Sequence, residues 1–103
     1  MLKFIKSLLF FIIFDIEDKT KRTIRLTNDR WKHIMERHPD VNNINLIIDT
    51  LENPSIIRQD KFDEMLNYYY KYIKEDRTYL MVAVKYLKDK GYVITSFYTK
   101  DVK

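Results

Sequence analysis

The chain of 103 residues contains no cysteine, one glycine and two prolines. Without cysteine there is no disulfide framework, no thiolate nucleophile and no zinc–thiolate cluster. With one glycine there is no phosphate-binding P-loop and no glycine-rich dinucleotide fingerprint, each of which needs several glycines at fixed offsets. A G-x-S-x-G nucleophile elbow is excluded for the same reason. Long apolar runs are also missing. The longest, Leu8–Phe14, follows Lys3 and Lys6 and is far short of the about 20 apolar residues of a membrane-spanning helix. An integral membrane span is therefore not expected. The run reads either as a buried strand or as a short signal or membrane-associated segment, although no A-x-A-like site follows it.

What is present is a small, basic, aromatic-rich chain. Its length suits one domain, and 46% hydrophobic residues are enough for a core. The formal net charge is +4, with Lys and Arg unevenly placed. Residues 1–40 carry nine Lys/Arg against six Asp/Glu, residues 41–64 two against five, and residues 65–103 eight against four. Two basic ends separated by an acidic middle can share one positive face, which is compatible with a phosphate-bearing partner.

Periodicity gives the architecture. Ile16–Lys21 is polar and reads as a turn between the apolar run and Arg22–Leu26, which alternates, so the two form a hairpin. Thr27 or Asn28 caps a helix that runs to about His38 and is stopped by Pro39. Ile44, Ile47, Ile48 and Leu51 recur at helical spacing and mark a second short helix, ended at Asn53-Pro54. The period then falls to two. Ser55–Lys61, Met65–Lys74, Tyr79–Leu87 and Tyr92–Thr99 read as strands joined by hairpin-length polar breaks. The expected class is α+β: an N-terminal hairpin and two short helices packed on an antiparallel meander of about four strands, in one domain spanning residues 1–103.

The first helix carries the densest chemistry. Trp31, Ile34, Met35 and His38 form its apolar stripe, and Arg30, His33 and Arg37 a second stripe at i, i+3 and i+7. An imidazole between two guanidiniums is a phosphate-handling surface, though such a stripe is also what an ordinary solvated face looks like. His38 falls on the buried stripe and is expected to pack. The two imidazoles lie about 140° apart around the helix and cannot chelate one ion as an i, i+4 pair does, so no metal site is expected. In Asn67–Tyr72, alternation sets Asn67, Tyr69 and Lys71 on one face and Tyr68, Tyr70 and Tyr72 on the other. These tyrosines read as core, or as stacking surfaces for unpaired bases. In the last strand Ile94, Ser96 and Tyr98 share one face, and Val93, Thr95, Phe97 and Thr99 the other, which looks like the core side.

The order of these segments resembles a known group. The stretches LTNDRWKHIMERHPD, TLENPSIIRQD, YYYKYI, YLMVAVKY and YVITSFYTK are similar to small phage- and mobile-element-associated members of the barnase–EndoU–colicin–RelE-like nuclease superfamily. The resemblance runs from about Arg22 to Lys103. Its most specific part is Trp31, His33, Ile34, Arg37, His38 and Pro39, supported by Asn53-Pro54 and the last strand. It implies a toxin-like, metal-independent RNA endonuclease that uses no cofactor, on a fold of N-terminal helices against a four-stranded antiparallel sheet. His33, Arg37, Lys71 and Thr95 are its expected catalytic residues. Arg30, His38, Tyr69, Ser96 and Tyr98 are its expected substrate-binding residues.

The chemistry agrees with those residue types. Cleavage through the ribose 2′-hydroxyl needs a base, an acid and cations for the phosphorane. His33 can be base or acid, and Arg37 and Lys71 can hold the phosphate. Tyr69 or Tyr98 can stack a base, and His38 can carry a second proton if the helix end unwinds. RNA is the expected partner and the cytoplasm the expected location. A protein antitoxin and a homodimer that covers the apolar run are further expected partners. The competing reading is a non-catalytic RNA- or protein-binding module on the same fold.

Overall fold

The computed structural model describes residues 11–103. The chain opens on an antiparallel hairpin of β1 (Ile12–Glu17) and β2 (Thr23–Thr27), in which Asp15 faces Arg25 and Ile16 faces Ile24. Ile16 and Glu17, expected in the turn, extend β1, because Ile16 packs on the core. Of the apolar run, Leu8–Phe10 lie outside the described residues, and Ile12–Phe14 are in β1. The turn is built by Asp18. Its carboxylate accepts the backbone N–H of Thr20 at 3.0 Å and of Arg22 at 2.9 Å, and the Thr20 hydroxyl at 2.8 Å. Lys21 takes the left-handed conformation there, with φ 74°.

Two helices follow. α1 (Asn28–Arg37) is capped by Thr27, whose hydroxyl accepts the Arg30 N–H at 3.2 Å. It ends at His38, whose N–H reaches the Ile34 carbonyl at 2.7 Å before Pro39 interrupts the pattern. α2 (Ile44–Glu52) is capped by Asn43, which accepts the Leu46 N–H at 3.1 Å. Four strands complete the chain: β3 (Ile56–Gln59), β4 (Leu66–Ile73), β5 (Thr78–Leu87) and β6 (Lys90–Thr99).

All six strands form one sheet, in the order β1-β2-β6-β5-β4-β3. The meander and hairpin are joined by a parallel pairing of β2 with β6, Thr23 to Lys90 through Arg25 to Tyr92. The expected four-stranded meander is thus two thirds of a mixed sheet. Gly91, the single glycine, sits at this junction between Ile24 and Tyr86. A Cβ there would come within 2.8 Å of both the Tyr86 ring and a Val84 methyl. Its lack of a side chain is what lets the Tyr86 ring pass beneath β6.

One face of the sheet is covered by the helices. Trp31, Ile34, Val41, Ile47 and Leu51 pack there on Ile24, Leu26, Tyr69, Leu80, Val82 and Val84. The other face carries a second layer of Tyr68, Tyr70, Met81 and Ala83, with Phe97 and Val102 against it, and no residue of α1 or α2 belongs to that cluster. A register shift between Ala83 and Val84 breaks the alternation of the last strand. Val93, Ser96 and Tyr98 therefore share the helix-covered side, while Thr95 and Phe97 face the other way. The expected core side of β6 is thereby split. Among the described residues no helix is long and apolar enough to cross a membrane.

Candidate active site

α1 begins where β2 ends, level with the paired residues Arg25 and Tyr92, and its C-terminal His38 lies against Phe97 with ring centroids 5.3 Å apart. The helix thus runs alongside β6 and in the same direction. Trp31 and Ile34 are buried in this seam and His38 is half-buried. Met35 lies on one flank of the seam and packs with the helix-covered core. At about 100° per residue, Arg30 and Arg37 fall on the opposite flank. On β6, Thr95 and Phe97 point to the helix-free side of the sheet.

His33 lies beside Arg30 and Arg37, turned further toward solvent. With Thr27, Asp29 and Arg30 it lines an open cleft of about 340 Å³ at the start of α1. His33 lies five residues, about 7.5 Å, back from His38 along the helix. Thr95 lies two residues, about 7 Å, back from Phe97 along the strand. Neither Arg30, His33 nor Arg37 is held in an ion pair among the described residues. The two guanidiniums and the imidazole stay available to an anionic ligand.

The structure does not bring the other expected residues to the α1–β6 boundary. Lys71 sits on the helix-covered face. Its ammonium donates to the Asn53 carbonyl at 2.9 Å and pairs with the Asp49 carboxylate at 3.1 Å. It caps the C-terminus of α2, where a cation suits the helix dipole, and holds Asp49 below the usual carboxylate range after the hydrogen bond from Asn53. Ser96 is fully buried and donates to the Met81 carbonyl at 2.7 Å. Tyr98 is half-buried on the helix-covered side, two strands from Lys71 in the row Lys71–Leu80–Tyr98. Burial, then the charges of Asp40 and Asp76, push its phenol up. Tyr69 has no exposed surface. Its hydroxyl donates to the Asp18 carboxylate and meets the Tyr86 hydroxyl, which leaves no ring face for a base. Of the expected residues, Arg30 and His33 share the cleft at the start of α1, Arg37 continues their stripe, and His38 reaches β6 at Phe97, two residues from Thr95. Lys71, Tyr69 and Ser96 are engaged by partners within the fold, and Tyr98 packs on the core.

Sequence reasoning also passed over a group beneath the hairpin. Asp18 is 4% exposed and lies against Tyr69, Tyr86 and Thr20, with the Arg22 guanidinium 3.7 Å from the Tyr86 ring centre. Burial alone would raise the Asp18 carboxyl, but hydrogen bonds from Tyr69, Thr20 and the Arg22 N–H together hold it below the usual range. The only legible signal was the spacing Asp18-x-Thr20-x-Arg22. Among the described residues no three His, Asp or Glu side chains converge as a metal-ligand set.

The model of the phage-Barnase-EndoU-ColicinE5/D-RelE like nuclease2 family matches residues 14–103. The chain belongs to that family. The match opens at Phe14, inside β1, so the hairpin is part of the nuclease domain together with the helices and the meander. The W-x-H-I-x-x-R-H-P stretch of α1 lies wholly within it. No curated protein and no solved structure matches the chain. Membership of a nuclease family points to nucleic acid as the class of substrate.

Proposed function

We propose that this nuclease-family chain is a toxin-type RNA endonuclease that works without a metal ion, at the boundary of α1 and β6. The observation that carries the reading is the stripe of Arg30, His33 and Arg37, in no ion pair among the described residues, on the helix whose C-terminal His38 lies against Phe97 of β6. RNA brings its own nucleophile, so the protein needs only proton carriers and cations. His33 takes the proton of a ribose 2′-hydroxyl, and the oxygen attacks the adjacent phosphorus. Arg30 and Arg37 hold the charge that builds on the non-bridging oxygens, forked as guanidiniums are for phosphate. The bond to the 5′-oxygen breaks, leaving a 2′,3′-cyclic phosphate. His38, half-buried at the C-cap against Phe97, protonates the departing 5′-oxygen once the helix end unwinds to turn it outward. Thr95 contributes a hydroxyl to the phosphate from the strand side.

The test is incubation of purified chain with total RNA, with and without a chelator, alongside expression in a bacterial host. RNA fragments ending in cyclic phosphate in both incubations, and growth inhibition on expression, are expected. Loss of cleavage only when the chelator is present would overturn the metal-independent mechanism. Binding of RNA with a steep salt dependence but no cleavage would instead support the binding-module reading.

A further inference from the structure

The helix-free face holds a second basic hollow, at the opposite edge of the sheet from α1. It measures about 470 Å³ and is lined by Arg58, Asp60, Lys61, Phe62, Tyr68 and Lys103 among others, a size in the range of small-ligand sites. Phe62 is 97% exposed, yet its backbone is fixed. The Asp60 carboxylate accepts the N–H groups of Phe62 and Asp63, each at 3.0 Å, and the Tyr68 hydroxyl at 2.6 Å. With these bonds Asp60 builds the loop that holds out the ring.

Three cations line the same hollow. Arg58, Lys61 and Lys103 are in no ion pair among the described residues. The Lys103 ammonium rests over the Tyr68 ring, 4.9 Å from its centre. A solvent-facing aromatic ring on a braced backbone, in a hollow that also holds three unpaired cations and the hydrogen-bonded Asp60, has the two elements of single-strand recognition, a stacking platform and an electrostatic groove.

The hollow is also connected to the α1 boundary. Arg58 pairs with Tyr68, Tyr68 with Ala83, and Ala83 with Thr95, in one row across β3, β4, β5 and β6. Adjacent strands lie about 4.8 Å apart, so the row spans about 14 Å. Ala83 keeps its middle low. The geometry points to a nucleotide subsite remote from the cleaved bond: an unpaired RNA base stacks on Phe62 while its flanking phosphates lie on Arg58 and Lys61. The subsite makes the chain select single-stranded RNA and sets how far the cut falls from that base. It rests on the reading of the α1–β6 boundary as the RNA-cleaving centre.

The test uses the full chain and a short 2′-O-methyl oligoribonucleotide, which cannot be cleaved, offered single-stranded and as a duplex, with Kd read by fluorescence anisotropy. Phe62→Ala is expected to weaken single-strand binding about tenfold or more, the loss typical of one aromatic–base stack, and to leave duplex binding unchanged. Arg58→Ala with Lys61→Ala is expected to flatten the dependence of log K on log salt by about 1.4, for two phosphates lost on a single strand. Both variants change exposed residues, and an unaltered Tm confirms their fold. Wild-type binding with Phe62→Ala indistinguishable from it would overturn the subsite while leaving the cleavage reading standing. Failure of the wild type to bind or cleave any RNA would overturn both.

Discussion

Replacing Asp18 by alanine is expected to destabilise the protein more than any single change on the helix surface. The carboxylate is 4% exposed and accepts the Tyr69 hydroxyl, the Thr20 hydroxyl and two backbone N–H groups. A hydrogen bond to a charged group contributes about 1.5–3 kcal/mol, and a buried donor left unpaired costs about 1–3 kcal/mol. The Thr20 hydroxyl reaches water after the change, and Tyr69 keeps Tyr86 as a partner. One charged bond and one unpaired backbone donor remain as the loss, together about 2.5–6 kcal/mol. Small domains have about 5–15 kcal/mol in all. At about 4–8 °C per kcal/mol for a domain of this size, Tm falls by about 10–50 °C. Thermal unfolding followed by circular dichroism measures it. The sign with pH is also fixed. The Asp18 carboxyl is held below its ordinary value in the folded chain, so its contribution is present above about pH 4 and is lost as pH falls through the folded value. Asp15 and Asp49 behave alike, so it is the difference between wild type and Asp18→Asn that isolates this carboxylate. That difference is expected to shrink as the solution is acidified. In a double-mutant cycle, Asp18→Ala and Tyr69→Phe are expected to be non-additive. An Asp18→Ala variant within about 1 kcal/mol of wild type, the ordinary size of a single substitution, would refute the assignment of this cluster as the staple between hairpin and sheet.

Two further outcomes follow from the fold. Gly91→Ala places a methyl 2.8 Å from the Tyr86 ring and a Val84 methyl, and is expected to lower stability by about 1–3 kcal/mol, as overpacking does, by chemical denaturation. Lys71→Met removes the partly exposed cation at the end of α2. It is expected to cost about 1 kcal/mol or less and to leave RNA cleavage unchanged, which separates a helix-capping lysine from a phosphate-binding one.

The elements were legible because their signals are local. The Thr27 and Asn43 caps, the stops at Pro39 and Pro54, and the shift of period after Ser55 each lie within a few residues. The parallel pairing of β2 with β6 was not legible, since it joins segments more than sixty residues apart, and nothing in Thr23–Arg25 names its partner. The side of Thr95, Ser96 and Tyr98 depended on a register shift at Ala83–Val84 that strict alternation cannot show. Lys71 was a basic residue in a strand of tyrosines, and only the placement of α2 reveals that Asp49 and Asn53 occupy it. The stripe Arg30–His33–Arg37 was legible as a stripe from helical spacing.

The most direct measurement is the rate of RNA cleavage by His33→Ala against wild type, with Tm taken on the same samples. His33 is partly exposed and outside the core, so the fold is expected to be kept. A positioned general base contributes about 10²–10⁴-fold, and kcat/KM is expected to fall by that factor with Tm unchanged. Cleavage by a folded His33→Ala variant at the wild-type rate would contradict the assignment of the α1–β6 boundary as the catalytic centre.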